Sequence, residues 1–477
     1  MVDMHIHVVP NRNSKPAILL RESYREDGKV KKRTLANLSH FPIDQVDTLR
    51  RVLKGEKLAP VDSLFEVINS KHHGHVEAVR SAMKRLDFDK LVSSKRSRER
   101  DLVVAMVATR LLEPDSKLAT TRWWNNTTLP QDLGVEDADE DELYEAMDWL
   151  LDRQGRIEKK LAGRHLHEDG LVLYDLSSSY VEGECCPLAA LGYSRDGKKG
   201  MLQVNYGLLT DERGCPVSVD VYPGNTTDAA TLVPQAQKAR EEFGIHRLVL
   251  VGDRGMISSK QIEQLRESED VDWITALRSG QIRKLLEGGA IDMTLFDKRN
   301  LYEVTHPDFP GERLVVCCNP LMAERREQTR QSLIEATVGE LEKVRGMVIR
   351  GRLKGKEKIG VRVGRVVNKY KMAKHIHLDI GDDSFDYRVL EESVKAEAAM
   401  DGLYVIRTSL AEERMGAEDA VRRYKDLSKV ERAFRSLKSI DLKVRPIYHH
   451  LEKRVRAHIF LCMLAYYVEW HMKEAWR

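Results

Sequence analysis

Alternating apolar and charged positions open the chain and predict a small β module. The alternation runs through residues 14–41 and is centred on Asp27-Gly28. A two-residue turn of this composition joins antiparallel strands, here about 19–24 and 29–35. The second arm is basic over residues 29–33. We therefore predict a basic β-hairpin module over residues 1–60.

The spacing of apolar residues then changes to that of helices, from about residue 61 to residue 168. Apolar side chains between Leu102 and Leu111 recur on one helical face, and Pro114 ends that helix. The acidic stretch 136–142 precedes another apolar face, as suits a helix N-terminus. This pattern predicts a helical region over residues 61–168.

Short apolar runs bounded by turns begin at residue 171 and predict an α/β domain over residues 169–279. The predicted order is β-β-β-α-β-α-β. The elements are a strand at 171–175, a hairpin with arms 201–209 and 217–221, a helix at 228–243, a strand at 248–251, a helix at 258–267 and a strand at 273–277.

The rest of the chain, from residue 280 onward, has a mixed pattern. A charged helix at about 321–346, a basic stretch at 350–356 and strand-like segments up to 404–406 predict an inserted subdomain over residues 280–405. Helices at about 417–438 and 451–475 then predict a C-terminal helical segment, 406–477. The whole is an α/β multidomain protein.

Composition narrows the class of protein. With 477 residues, the chain exceeds the size of a single core, and its 42% hydrophobic and 32% charged residues are typical of a globular protein. It lacks an apolar run of membrane-spanning length and a secretory signal at Met1, so we expect a cytoplasmic protein without membrane contact. The net charge of +3 is too small to indicate nucleic acid by itself.

Two aspartates are candidates for metal chemistry. Asp175 closes the first predicted strand, and Asp253 follows the strand at 248–251. Functional groups of α/β sheets collect at the carboxyl ends of parallel strands, so these carboxylates are expected to be neighbours. Such a pair repels unless a cation such as Mg²⁺ lies between its members. The alternative is that each aspartate only caps the turn after its strand.

A third carboxylate is proposed from the helix at 417–438. Tyr424, Glu431 and Lys438 are seven residues apart and so share one face of a continuous helix. A glutamate and a lysine on a face that packs on the sheet are costly unless paired or bound. The alternative is an exposed helix face without function.

These segments resemble a known family. The motifs are Tyr-Asp-Leu-Ser-Ser-Ser-Tyr (174–180), Val-Gly-Asp-Arg-Gly-Met (251–256) and the segment 424–438. They are similar to those of bacterial DDE insertion-sequence transposases, in particular the insertion-sequence-four-like group. The signature of that group is matched at Tyr424, Glu431 and Lys438, with Leu427 where the group has Arg. Residues 200–228 and 445–450 are also similar, so the resemblance covers nearly the whole chain.

The resemblance implies a ribonuclease H-like catalytic domain with a β-rich insertion. It implies that Asp175, Asp253 and Glu431 hold two Mg²⁺ ions, for which Mn²⁺ can substitute, during DNA strand cleavage and strand transfer. The implied partners are double-stranded DNA, as terminal inverted repeats and target, and a second copy of the chain when bound to DNA ends. The implied location is the bacterial cytoplasm, at the nucleoid when DNA is bound.

Further residues are expected to contact DNA. The resemblance and the charge pattern assign this role to Tyr424, Lys438, Arg435 and Arg254, and to the basic clusters 29–33, 95–100 and 350–356. The helical region 61–168 is accordingly expected to be a DNA-binding and connector region. For any one cluster the alternative is ordinary solvated charge. None of the six Trp lies within residues 280–405, so the sequence gives no support for hairpin-forming chemistry.

Two other functions stay open at this point. A ribonuclease H-like nuclease without strand joining would have the same active site. A catalytically silent, transposase-derived DNA-binding protein is disfavoured because all three carboxylates are present.

Overall fold

The computed structural model describes residues 3–59, 67–268, 270–292, 295–296 and 300–477, without the side chains of 439 and 440. It contains two compact units, Met1–Ser70 and Lys71–Arg477. The predicted boundary between residues 60 and 61 lies outside the described residues.

The first unit is a three-stranded antiparallel sheet followed by a helix. Its strands are β1 (Asp3–Val9), β2 (Ala17–Glu26) and β3 (Lys29–Asn37), and its helix is α1 (Ile43–Leu53). Asp27 and Gly28 both have positive φ, 50° and 76°, as a tight hairpin turn requires. The predicted hairpin is therefore confirmed, and β1 is an additional strand that the sequence pattern did not reveal.

Seven helices open the second unit. They are α2 (Gly74–Arg85), α3 (Phe88–Val92), α4 (Arg98–Leu112), α5 (Lys117–Trp124), α6 (Leu129–Leu133), α7 (Glu140–Leu151) and α8 (Gln154–His165). Asp139 caps α7 by accepting a hydrogen bond from the backbone N–H of Glu142, at 2.9 Å. Helix α4 is buried on every side from Asp101 to Arg110. The helices and the sheet that follows share one hydrophobic core, so the helical region is part of a larger body.

The sheet of the second unit has eight strands in the order β6-β5-β4-β7-β8-β13-β10-β9. The strands are β4 (Gly170–Tyr180), β5 (Gln203–Asp211), β6 (Pro216–Pro223), β7 (Leu248–Val251), β8 (Val271–Ala276), β9 (Leu301–Val304), β10 (Arg313–Cys318) and β13 (Leu403–Thr408). Helices α9 (Asp228–Glu241) and α10 (Ser259–Arg266) flank β7, and α11 (Ser279–Glu287) follows β8. Strand β7 runs parallel to β4 and β8. The predicted β-β-β-α-β-α-β order is confirmed.

The predicted insertion over residues 280–405 is wrong in its limits and in its character. Strands β9, β10 and β13 extend the central sheet, because β13 hydrogen-bonds to β8 on one edge and to β10 on the other. What interrupts the sheet is mainly helical. It comprises α12 (Pro320–Ile349), α13 (Lys356–Tyr370), a hairpin of β11 (Ile376–Ile380) and β12 (Phe385–Val389), and α14 (Glu391–Ala398).

This helical insertion has its own hydrophobic core, formed by side chains from Ile334 to Phe385. Its two ends meet at one place, where the backbone N–H of Asn319 donates to the carbonyl of Gly402, at 2.9 Å. Gly402 has φ +74°, and a Cβ there would lie 2.5 Å from the carbonyl oxygen of Asn319. Only glycine fits this close approach.

The C-terminal segment is helical, as predicted, but the first predicted helix is divided. Helix α15 (Ala417–Lys425) ends at Asp426, α16 (Leu427–Arg435) follows, and a π-helical turn covers Ser436–Ile440. Helix α17 (Glu452–Ala475) is buried from Val455 to Trp470 with few breaks. Within the described ranges, no helix combines the length and apolar character needed to cross a bilayer.

A buried ion cluster joins the strands beside the insertion. Glu312 accepts hydrogen bonds from Arg407 Nε and Nη2, at 2.5 and 2.6 Å, and from Arg266 Nη2 at 3.0 Å. The side chains of Glu312 and Arg407 are 1% and 5% exposed. Removing one partner would leave the other charge buried and uncompensated.

We therefore expect Glu312→Ala to lower the free energy of unfolding by about 3–5 kcal/mol, measured by urea denaturation. The matched control is Glu392→Ala, since Glu392 is 91% exposed in its pair with Lys395. That change should stay within about 0.5 kcal/mol. Equal losses for the two variants would contradict the importance of the buried cluster.

Candidate active site

The two predicted aspartates lie level with each other on neighbouring strands. The parallel pairing of β4 and β7 ends at Leu173 opposite Val251. Asp175 is the second residue after Leu173, and Asp253 is the second after Val251. Paired strands are about 4.8 Å apart, so the two carboxylates lie side by side where β4 and β7 part.

The sequence pattern predicted that Asp175 closes its strand, and this prediction is wrong. Strand β4 continues to Tyr180 because its other edge stays paired with β5 along the whole polar stretch after Asp175. The backbone N–H of Leu176 donates to Asp175 Oδ1, at 2.8 Å. Burial raises the pKa of Asp175 to about 7, and the negative charge of Asp253 adds to the rise. The charged form of this carboxyl therefore favours a nearby cation.

Asp253 is held by the turn that follows β7. Its Oδ1 accepts hydrogen bonds from the backbone N–H groups of Gly255 and Met256, at 2.9 and 2.8 Å. The turn-capping alternative is thus correct for one oxygen of Asp253. The same bonds fix the direction of the carboxylate beside Asp175, so capping and metal binding are compatible.

Tyr424 shows that the third predicted carboxylate lies near the other two. Burial and, after it, the charges of Asp253, Glu431 and Asp175 together raise the pKa of Tyr424 to about 12. The positive charge of Arg254 acts on Tyr424 in the opposite direction. All three carboxylates and Arg254 therefore lie within electrostatic range of one tyrosine.

Helix α16 presents Glu431 from a firmly packed position. Val430 and Ala433 are buried, and the Phe434 ring lies edge-on to Tyr206 of β5, with 5.8 Å between ring centroids. Leu427, which stands where the resembled group has Arg, packs against the same core. Glu431 itself is exposed, one turn from the packed Leu427 and Phe434.

The turn between β5 and β6 supports α15 and α16 from behind. Glu212 accepts a hydrogen bond at its backbone carbonyl from Lys429 Nζ, at 2.8 Å, and its carboxylate pairs with Arg423 at 2.9 Å. Gly214 of this turn has φ +86°, and a Cβ there would lie 2.8 Å from the Cβ of Lys429. The backbone of the turn therefore packs directly against α16 at Lys429.

Lys438 does not continue the helix face of Glu431, as the seven-residue spacing had predicted, because the helix is interrupted before it. It lies in the π-helical turn, which departs from α-helical spacing, and it is only 8% exposed. Its Nζ donates to Asp196 Oδ1 at 2.9 Å, and Arg445 pairs with the same carboxylate. Asp196 was not singled out from the sequence, and no spacing signal links it to Lys438.

Arg195 and Asp228 also lie near the carboxylates and were missed as site residues. The charge of Arg195 lowers the pKa of Asp175 and that of Asp228 raises it. The two residues form an ion pair with each other. Asp228 belongs to the Gly-Asn-Thr-Thr-Asp motif (224–228), which was the available signal.

The predicted basic clusters differ in how far their charges are already engaged. In cluster 95–100 all three arginines pair with carboxylates, Arg96 and Arg100 with Asp101, and Arg98 with Glu142. The charges of these three arginines are therefore already engaged within the chain, and DNA contact by this cluster stays a prediction. Among the described residues, the charged side chains of 350–356 are exposed and form no ion pair. Arg254 and Arg435 are likewise exposed.

A cavity of about 950 Å³ opens beside the carboxylates. Arg254 and Tyr424 line it on the side of the sheet, and Arg325, Arg326 and Arg330 of α12 line it on the side of the insertion. The strong positive charge of these walls suits a polyanion.

The donor set at the site suits a hard divalent cation. Three carboxylates supply oxygen ligands, which Mg²⁺ prefers. Burial, and after it the charge of Asp253, raises the pKa of Asp175, and a bound cation would stabilise the charged form of this carboxyl.

We expect Gly214→Ala to reduce both thermal stability and DNA cleavage. Alanine at positive φ costs about 1–2 kcal/mol, and the added Cβ would also push α16 and Glu431 away from the aspartates. Gly200→Ala is the control, because Gly200 has φ +81° with nothing within 4 Å of an added Cβ. If the two variants are equally stable but Gly214→Ala loses more cleavage activity, the displacement of α16 explains the difference. Equal cleavage by the two variants would contradict this displacement.

Comparisons with known proteins bear on this site. A family model described as "Transposase DDE domain" matches residues 169–468, and one described as "IS1634 family transposase, N-terminal domain" matches residues 6–60. No curated protein matches the chain. One similar solved structure is a cryo-EM piggyBac transposase synaptic complex with hairpin DNA. It is 9% identical, with 84% of this chain and 73% of that chain covered and a TM-score of 0.36.

The general resemblance to DDE transposases is confirmed by the family match. The N-terminal match names the IS1634 family and not the insertion-sequence-four-like group, so the finer resemblance is not supported. The mixed sheet, with its confirmed element order, fits the ribonuclease H-like fold that the family implies. Because the DDE model spans well over half of the 477 residues, the chain belongs to the family of DDE-domain transposases.

Proposed function

We propose that this insertion-sequence transposase binds the terminal inverted repeats of its element, cleaves them and joins the freed 3′ ends to target DNA. Asp175, Asp253 and Glu431 would hold two Mg²⁺ ions, with Mn²⁺ as a substitute. The observation that carries the proposal is the level placement of Asp175 and Asp253 on the paired strands β4 and β7, with Glu431 in electrostatic range of the same Tyr424, beside a cationic cavity.

When bound, such ions activate a water or a 3′-hydroxyl and stabilise the leaving oxygen of an in-line displacement. The residues of the chain supply the positioning. Asp253 is oriented by two backbone N–H groups, and Asp175 by one. Glu431 is presented by a helix that packs on the sheet through Val430, Ala433 and Phe434.

Cationic side chains around the carboxylates would place the DNA strand. Arg254 and Arg435 are exposed and would contact phosphates, and Tyr424 would lie against the strand at the cavity wall. Lys438 would act indirectly, because its charge is engaged by Asp196. The arginines of α12 would extend the phosphate contacts away from the reacting bond.

The N-terminal unit would bind DNA through β3. Lys29 and Lys32 are exposed and, within the described part of the chain, unpaired. Lys31 and Arg33 pair with Glu26 and Glu22 of β2. A dimer on two element ends would place two active sites on one DNA assembly.

Asp175→Asn, Asp253→Asn and Glu431→Gln should each reduce cleavage and joining by about 10³-fold or more, because each removes an anionic ligand at constant size. The measurement is cleavage and strand transfer on duplex element ends with Mg²⁺ or Mn²⁺. Binding of Mn²⁺, followed by electron paramagnetic resonance, should weaken in parallel.

Glu413→Gln is the control, since Glu413 is an exposed carboxylate outside the site. Strong cleavage by Glu431→Gln would remove Glu431 from the site. Cleavage by the wild type without any joined product would instead favour the nuclease alternative.

We expect Lys29→Gln with Lys32→Gln to weaken binding of the full chain to its terminal repeats and to reduce the salt dependence. Each lost phosphate contact lowers the log–log slope by about 0.9. The measurement is fluorescence anisotropy across a salt series. Lys343→Gln with Lys395→Gln is the control, since both lysines are exposed and lie outside the predicted DNA-contacting clusters. An unchanged slope in the β3 variant would exclude β3 from DNA contact.

A further inference from the structure

A second, smaller cavity is strongly cationic and is lined by none of the three carboxylates. Its volume is about 320 Å³. It lies between the α4–α5 connection, helix α7, the segment 443–449 and helix α17. That segment includes the Arg-Pro-Ile-Tyr-His-His motif (445–450), to which the proposed transposase chemistry gives no role.

Two buried cations line this cavity without a counter-ion. Lys117 and Arg110 are 4% and 6% exposed. Across the described residues, neither forms an ion pair with a carboxylate, and Lys117 Nζ has no hydrogen-bond acceptor. Arg110 Nη2 donates only to the backbone carbonyl of Asp115, at 3.2 Å. A buried charge is costly to leave unpaired, so these two side chains indicate an anion that completes the site.

The surroundings add no negative charge inside the cavity. Burial lowers the pKa of Lys117 to about 7, and the charge of Arg110 lowers it further. Burial and the charges of Lys117 and Arg110 lower the pKa of His449 to about 3, so its imidazole is neutral. Burial raises the pKa of the nearby Cys462 thiol, which is neutral as well.

The rim is mixed in charge. Among the described residues, one carboxylate lines the cavity, that of Asp115, and it is exposed. Its Oδ1 accepts a hydrogen bond from the backbone N–H of Ser116, at 2.7 Å. Arg445 and Lys443 also line the cavity, Arg445 paired with Asp196 and Lys443 exposed and unpaired in the described structure. The balance is positive, and it is most positive in the buried part.

We infer that this cavity binds a phosphate group. A guanidinium and an ammonium converging in a desolvated cavity match phosphate oxygens, the guanidinium by paired hydrogen bonds and the ammonium as a point charge. The phosphate comes either from a DNA strand or from free phosphate. The site itself does not depend on the proposed transposition chemistry, whereas DNA as the source of the phosphate does.

Thermal unfolding of the full chain tests the site without DNA or metal. Sodium phosphate is compared with sodium chloride at equal ionic strength. The wild-type unfolding temperature should rise with phosphate and saturate, because a ligand that binds only the folded state stabilises it. Lys117→Met should be at least as stable as the wild type in chloride, since it removes an unpaired buried charge, and should lose the phosphate response.

Two further variants keep this test decisive. Lys117→Arg retains the charge and should retain a phosphate response, even if Lys117→Met folds poorly. Lys159→Met changes an exposed lysine on α8 and should respond as the wild type does. A wild type without a phosphate-specific shift, or equal shifts in wild type and Lys117→Met, would overturn the site.

A DNA arm identifies the source of the phosphate. If a strand supplies it, Lys117→Met should lower the log–log salt slope of duplex binding by about 0.9, and free phosphate should compete with the duplex. An unchanged slope together with an intact phosphate shift in the wild type would support the site with free phosphate as its ligand. Failure of metal-dependent cleavage would leave both measurements unaffected.

Discussion

The parallel pairing of β4 with β7 is the contact on which the active site depends. The pairing ends at Leu173 and Val251. The backbone hydrogen bonds between the two strands therefore place the two aspartates at the same level. Because both strands lie in the buried centre of an eight-stranded sheet, their register is fixed by backbone hydrogen bonds and by core packing. A shift of one residue would turn one aspartate to the other face.

Much of the remaining structure brings Glu431 to this fixed pair. Phe434 and its neighbours attach α16 to the sheet, and the turn at Glu212–Gly214 supports the helix from behind. Helix α17 holds the π-helical turn, since Glu469 accepts from Ser436 Oγ at 2.7 Å. The helical region before the sheet encloses α17 in the common core. Rigid positioning of carboxylates that repel one another requires this amount of packing.

Local signals predicted the parts of the fold that depend on local chemistry. Asp27-Gly28 predicted its hairpin, and Pro114 predicted the end of α4. Changes in the spacing of apolar residues predicted the order of elements from β4 to β8. Long-range pairing left no such signal, because β10 and β13 are joined by hydrogen bonds between segments separated by the whole insertion. These strands were therefore assigned to a separate subdomain.

The features of the candidate site also differ in whether local sequence signals could predict them. The three carboxylates could be proposed from strand patterns, spacing and family resemblance. The engagement of Lys438 by Asp196 could not, because it depends on a π-helical turn and on a partner far away in the sequence. The charge of cluster 95–100 was visible, but Glu142, which pairs with Arg98, comes from α7 and becomes its neighbour only on folding.

The junction of Asn319 and Gly402 has a consequence for how this protein can change. The helical insertion leaves and re-enters the sheet at a single point and has a core of its own. A segment attached in this way can be lengthened, shortened or exchanged without altering the register of the strands on either side. The arginines of α12 are thus free to change in evolution, while the carboxylates stay under the constraints of the sheet.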